Sequence, residues 1–241
     1  MKISIVSYNI EGLTLEYNYC QSQDLKNYII EKSIYLNKYL PELAVDIICI
    51  QEYTPILNLD FGDYYTVKDK SNAVFFRKNK FTYVKHIVHK LCGLIVTLDS
   101  NGFILKLGTN RFAPSNDGLE QRATTIKILD SYAKNKIFIY AADTNMKKAE
   151  EKDLNNLVDC YHAASLTTGH YTLDKRTNPY FASDYANKTR TRYDKIFCTN
   201  VFDCEQFVVL HPANDGDLVH EYYPFGGISD HYPVLAILSI G

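Results

Sequence analysis

Apolar residues recur along the chain in two rhythms. Residues 2–8 and 45–50 are short, β-branched runs that read as buried strands, the second apolar but for Asp46. Between them, residues 24–40 carry Leu25, Ile29, Ile30, Ile34, Leu36 and Leu40 at helical spacing, with Pro41 to end the helix. Strand-like pieces follow at 64–68, 73–76, 81–89, 94–98 and 103–108, and Ser100-Asn101-Gly102 is a hairpin-turn signal. Asp117 reads as the N-cap of a helix from about residue 118 to 133. Residues 137–141 form a further strand, 148–158 a helix, 167–190 a long irregular stretch, and 193–198, 206–210 and 233–238 the last strands. Clusters of strands with a few helices, rather than strict alternation, predict two packed sheets flanked by helices. No repeat, low-complexity tract or linker interrupts the pattern, so residues 1–241 are read as one domain.

Composition narrows this picture. Hydrophobic residues make up 46% of the chain, which is ample for a packed core and excludes a disordered or fibrous protein. The formal charge of −2 excludes indiscriminate coating of nucleic acid but leaves room for a local basic groove. No apolar run approaches the roughly 18 residues that span a bilayer. The opening residues lack signal-peptide architecture, so an intracellular location, cytoplasmic or nuclear, is expected, as a monomer with no membrane partner. None of the six cysteines pair as C-x-x-C, which argues against a thiolate zinc site and for reduced thiols.

The chemistry-bearing residues sit at strand ends. Asn9-Ile10-Glu11 follows the first strand, Gln51-Glu52 the second, and Asp143-Thr144-Asn145 the strand at 137–141. Tyr193-Asp194 opens a strand and Ser229-Asp230-His231 precedes the last. Only a fold that gathers strand ends at one rim could unite them. Such a rim would hold hard oxygen ligands and amides, a set suited to Mg²⁺ or Mn²⁺, beside an imidazole suited to phosphate-ester hydrolysis.

The ordered series YNIEGL, DIICIQE, AADTNM, RYDKIF and ISDHYP resembles the endonuclease/exonuclease/phosphatase superfamily, and within it the 5′-tyrosyl-DNA phosphodiesterase branch. The motifs run from Asn9 to His231. The resemblance implies a four-layer α/β/β/α sandwich of two mixed sheets. It implies that Glu52 binds a divalent metal, Mg²⁺ or Mn²⁺, with Asp230 in support, and that Asn9 helps hold the metal site and the phosphate. Asp143 would orient or deprotonate the attacking water, Asn145 would lie on the phosphate, and His231 would donate to the non-bridging oxygens while Asp194 holds its ring. Tyr171-Thr172 falls where that branch has Tyr-Thr-Trp, with Leu173 in place of the Trp.

Two positions depart from the branch. Where relatives usually carry a His, counting back from Arg122 gives Arg111, which can grip phosphate bidentately but cannot relay a proton at neutral pH. The loop after it offers Ser115 or Asn116 to phosphate. Met146-Lys147 stands where the branch has Leu-Arg, so Lys147 keeps the charge and loses the planar fork. Between Lys175 and Lys195, basic residues including Arg190 and Arg192 alternate with tyrosines, a mixture suited to a phosphate backbone and an end base. Arg122 itself reads as structural.

The expected function is a metal-dependent phosphodiesterase acting on a nucleic-acid end, with DNA as the leading partner, RNA as a possible one, and a 5′-phosphotyrosyl protein–DNA adduct as the leading substrate. A DNA or RNA nuclease of the same fold and a catalytically weakened nucleic-acid-binding protein remain the alternatives.

Overall fold

A computed structural model describes residues 1–12, 23–150, 154–176, 178, 180, 189–210 and 229–241. The strands, in chain order, are β1 Lys2–Asn9, β2 Ile47–Gln51, β3 Tyr64–Lys68, β4 Asn72–Arg77, β5 Thr82–His89, β6 Gly93–Ser100, β7 Phe103–Thr109, β8 Phe138–Asp143, β9 Leu157–Asp159, β10 Leu166–Thr168, β11 Leu173–Asp174, β12 Arg190–Thr191, β13 Asp194–Thr199, β14 Asp203–Val209 and β15 Val234–Ser239. The helices are α1 Gln23–Glu42, α2 Leu119–Ala133 and the single turn α3 Cys160–Ala163.

The strands form a seven-stranded sheet, ordered β10-β14-β15-β1-β2-β4-β3, and a six-stranded sheet, ordered β5-β6-β7-β8-β13-β9. Both are mixed: β1 runs parallel to β2 and β7 to β8, while β1–β15 and β8–β13 are antiparallel. Alternation along each strand assigns the layers. Ile3, Ile5, Ile47 and Cys49 face the six-stranded sheet and meet Leu107, Ile139, Ala141 and Ile196 in the central core. On the other face, Val6, Tyr8, Ile48 and Ile50 pack against Ile29, Leu36 and Leu40 of α1. Phe138, Tyr140 and Ala142 turn outward to Ile126, Leu129 and Ala133 of α2. The result is the expected α/β/β/α sandwich.

Several local expectations shift. In α1 the stripe is narrower than read, since Ile30 and Ile34 are 56% and 63% exposed while Ile29, Leu36 and Leu40 are buried; the Leu25 side chain lies outside the described residues. Pro41 lies inside the helix, which closes one residue later at Glu42. Asp117 does not cap α2; the N-cap is Gly118 with no side-chain cap, and the Leu119 N–H is taken by the Asn116 carbonyl instead. The helix expected at 148–158 reduces to one 3₁₀ turn, Lys148–Glu150, with Val158 in strand β9; residues 151–153 lie outside the described residues. The cause is Asp130 on α2, whose carboxylate accepts from the backbone N–H groups of Asn155 and Asn156 and so holds that segment off a helical path. Cys49, Cys92, Cys160, Cys198 and Cys204 are buried free thiols, while Cys20 lies outside the described residues. No helix among the described residues is long and apolar enough to cross a membrane.

Topology dictates where chemistry can gather. Parallel β1 and β2 end together, pairing Asn9 with Gln51. β15 runs against β1, so it starts at that same end, just after His231. β13 runs against β8, and Asp194 at its start pairs with Asp143 at the end of β8. Gln51 ties the two sheets at this rim. Its buried Nε2 reaches Ser7 Oγ (3.0 Å) on its own sheet, and Thr109 Oγ1 (2.9 Å) and the Ala141 carbonyl (3.2 Å) on the other.

Candidate active site

The rim unites residues separated by more than 200 positions in the chain. Asn9 is its hub. Its Nδ2 donates to Glu52 Oε1 (3.1 Å) and to Asp143 Oδ2 (3.0 Å), and its Oδ1 accepts the Glu11 N–H (2.9 Å). Its carbonyl accepts from Ser229 Oγ (2.7 Å), and Ser229 Oγ in turn accepts the His231 N–H (3.2 Å). Through its side-chain amide and its backbone carbonyl, Asn9 therefore links the ends of β1, β2, β8 and the approach to β15.

Asp143 is buried at the end of β8. Its Oδ1 accepts the Asn145 N–H (3.0 Å), and its Oδ2 also accepts from Asn145 Nδ2 (3.1 Å). Burial pushes its carboxyl up to about 6; Asp194 repels in the same sense, while the charge of His231, the Asn9 amide and Arg111 pull the other way. His231 Nδ1 lies 2.6 Å from Asp194 Oδ2, a buried imidazole–carboxylate pair. Burial disfavours the imidazolium, but the charges of Asp194 and Asp143 and the hydrogen bond to Asp194 outweigh it, and the ring stays well above its ordinary 6.5. Thr172 fixes Asp194 by accepting its backbone N–H (3.0 Å). Asp230 flanks the pair with Oδ1 3.8 Å from His231 Nε2.

Four of the rim's non-glycine residues adopt the left-handed backbone region: Glu11 (φ 52°), Glu52 (φ 53°), Ser115 (φ 66°) and Asn145 (φ 48°). Such strain persists only where the surroundings fix it, and it concentrates at functional sites. At Glu52 the turn follows the last β2 residue and presents the carboxylate to Asn9.

The sequence places Glu11 among the strand-end residues but gives it no role, and it does not single out Lys32. Glu11 accepts a hydrogen bond from the Tyr180 hydroxyl, and its Oε2 is buried with no donor among the described residues. Burial raises its carboxyl, and the charges of Asp230 and Glu52 add to this. Lys32, 2% exposed on α1, places an ammonium without a hydrogen-bond partner among the described residues in the field of Glu11, Asp230 and Glu52. Burial pulls it down to about 8 against those three charges. The signal was present: Lys32 lies on the Ile29–Leu36–Leu40 face, and a charge on a buried stripe needs a counter-charge.

The residues expected to bind substrate divide into two groups. Arg111 lies at the rim, its Nε 2.6 Å from Glu52 Oε1 and 3.6 Å from Asp143 Oδ2. Ser115 and Asn116 are exposed in the following loop, which buried Arg122 shapes by donating to the carbonyls of Ala113 and Ser115 while pairing with Glu150. Arg122 is thus structural, as expected. Lys147 is exposed just past Asn145. By contrast, Arg190 is paired with buried Asp174 (2.7 Å) and stacked over the Tyr171 ring at 4.2 Å. Arg192 pairs with Asp159 (2.7 Å) and stacks on Tyr161 at 4.4 Å. Two arginines of the basic strip are therefore neutralised within the fold. Residues 177, 179 and 181–188 of that strip lie outside the described residues.

The two-sheet sandwich that carries this rim is the fold of solved endonuclease/exonuclease/phosphatase proteins. Solved structures similar to the chain include D. rerio TDP2 complexed with single-strand DNA product, at 18% identity over 99% of both chains with a TM-score of 0.76. They also include truncated Caenorhabditis elegans TDP2, at 15% identity over 99% of this chain and 98% of that one, TM-score 0.73. The Bacteroides thetaiotaomicron mannosyl-6-phosphatase Bt3783 matches at 18% identity over 99% of this chain and all of its own, TM-score 0.74. No family model matches the chain, and no curated protein matches it.

Proposed function

We propose that residues 1–241 act as one catalytic domain, a divalent-metal-dependent phosphodiesterase that hydrolyses a phosphoester at a nucleic-acid end, with a 5′-phosphotyrosyl DNA end as the leading substrate. The observation that carries this reading is the joining of Glu52, Asn9, Asp143 and Asn145 by one hydrogen-bonded chain, beside a buried Asp194–His231 pair.

The donor set fits a hard cation. Glu52, Glu11 and Asp230 raise the negative potential of one small volume, and Glu11 Oε2 is an orphaned buried carboxylate oxygen. Glu52 would hold Mg²⁺ or Mn²⁺, with Asp230 and Glu11 in support; bound there, the ion would draw electron density from a phosphate oxygen. Asp143, Asp194 and His231 also place possible ligand atoms within 4.8 Å of one another. We assign that trio to proton handling instead, because His231 Nδ1 is committed to Asp194 and an imidazole is a poor ligand for a hard ion.

The chain's own groups divide the work. Asp143, its carboxyl lifted towards neutrality by burial, orients water and accepts its proton. Asn145 and Asn9 hold Asp143 in place and offer amides to the phosphate. His231, kept cationic by Asp194, donates through Nε2 to the oxygens that gain charge. Arg111, Lys147 and the Ser115–Asn116 loop supply phosphate contacts.

A panel of substrates in Mg²⁺ tests the reading: 5′-phosphotyrosyl oligonucleotide, single- and double-stranded DNA, RNA, and a sugar phosphate. Release of tyrosine from the first is expected. Cleavage only of internal bonds would make the chain a nuclease, and turnover of the sugar phosphate alone would make it a phosphatase. Binding without turnover, unchanged in Asp143→Asn, would make it a binding protein.

A further inference from the structure

We infer that Arg111 is a phosphate-binding arm held back by Glu52 and released when a divalent cation takes that carboxylate, so that cation and phosphate bind cooperatively through one side chain. The inference rests on the metal-site reading of Glu52 given above and adds an order to it.

Four observations carry it. The backbone at Arg111 is fixed: residue 111 bridges to Asp143, the Phe112 N–H donates to the Asp143 carbonyl (2.9 Å), and Asn110 and Asn145 pin the neighbouring residues through Leu91 and Phe112 (2.8 and 3.0 Å). Only the side chain is left to move. Second, Nε lies 2.6 Å from Glu52 Oε1, so guanidinium and cation would compete for one carboxylate whose same oxygen already accepts from Asn9. Third, the contact is one of charge alone. Arg111 makes no hydrogen bond to a described residue, so the donors of its fork are uncommitted. Fourth, the Arg111 side chain is 38% exposed against 7% for Glu52, which makes Arg111 the partner that leaves.

A dication on Glu52 repels the guanidinium and removes its counter-charge. The planar fork then finds its best partner in a phosphate, which it can grip bidentately. A phosphate on Arg111, by the same linkage, frees Glu52 and tightens the cation. An imidazole could not do this, because it would not carry a permanent charge onto Glu52 at neutral pH.

The experiment is titration of Mn²⁺ into the full chain, followed by electron paramagnetic resonance, with and without thymidine 5′-monophosphate, for wild type, Arg111→Ala, Arg111→Lys and Glu52→Ala. Without nucleotide, Arg111→Ala should bind Mn²⁺ about five-fold or more tighter than wild type, because the competitor is gone. In Mn²⁺, the same variant should bind the nucleotide about ten-fold or more weaker, and the mutual enhancement should shrink. Arg111→Lys keeps the charge and should leave Mn²⁺ affinity near wild type while weakening the nucleotide. If Arg111→Ala binds Mn²⁺ no more tightly than wild type while Glu52→Ala abolishes binding, the metal site stands and this inference falls. If Mn²⁺ binding is absent, or indifferent to Glu52→Ala, both fall together. Melting curves for each variant confirm that the comparison is between folded proteins.

Discussion

Burial and neighbouring charge shift His231 and Asp143 in the way that the proposed roles of proton donor and acceptor require. The ring is held well above 6.5 and the carboxyl lifted to about 6, so near neutral pH the first is charged while the second is close to taking a proton. The lifted Asp143 has a consequence for stability. A carboxyl whose native-state value exceeds its ordinary 3.8 stabilises the fold when protonated, and that contribution is lost as pH rises through about 6. Asp143→Asn, in EDTA, should therefore melt at a higher temperature than wild type above pH 6, with the gap closing as pH falls below it. The same variant should lose hydrolysis by several orders of magnitude, about 10³-fold or more, while still binding substrate. A melting temperature lower than wild type at pH 8 would mean that the Asn9 and Asn145 hydrogen bonds outweigh the buried charge. For His231 the sign is the usual one for a gained partner: stability from the Asp194 pair is full below 6.5 and lost as pH rises through the elevated native value. Asp194→Asn should bring the ring's NMR titration midpoint down towards 6.5; an unchanged midpoint would show that Asp143 alone holds the charge.

The site depends on how closely two elements approach at the rim. A Cβ on Gly12 would lie 2.2 Å from the Glu52 carbonyl oxygen and 3.0 Å from Thr54 Cγ2. Gly12→Ala should thus displace Glu52 and weaken Mn²⁺ binding by about ten-fold or more, an effect comparable to losing a group that orients a metal ligand. An affinity within two-fold of wild type would show that the β2 end yields freely. At this scale the sequence was readable wherever one local rule acted alone. The β-branched runs became β1 and β2, and the five motifs met at one rim because parallel and antiparallel pairing leaves their ends together. It was unreadable where a distant group overruled the local signal. Nothing near residue 155 announces that Asp130 will accept its backbone N–H and unmake a helix. Likewise, Arg190 and Arg192 look free in the sequence because Asp174 and Asp159, which neutralise them, lie 16 and 33 positions away. Lys32 was legible in principle, as a charge on a buried stripe, but its counter-charges come from the far ends of other strands.

For the molecule as a whole, the net charge of −2 is the sum of local opposites, and the internal pairing of the basic strip sharpens that picture. In the proposed reading the cations that the rim offers to a phosphate backbone are Arg111 and Lys147. With about two or three phosphates neutralised, binding to a single-stranded oligonucleotide should fall with a log–log salt slope near −2. A slope steeper than about −5 would call for a basic surface beyond these residues. The central claim is that Glu52 and Asp143 sit in one metal-assisted phosphoesterase site. It is tested most directly by following tyrosine release from a 5′-phosphotyrosyl oligonucleotide in Mg²⁺, in EDTA, and with Glu52→Ala and Asp143→Asn in Mg²⁺. Turnover by wild type in Mg²⁺ alone, abolished in the other three, is the result the account predicts. Hydrolysis that persists in EDTA or in Glu52→Ala would contradict it.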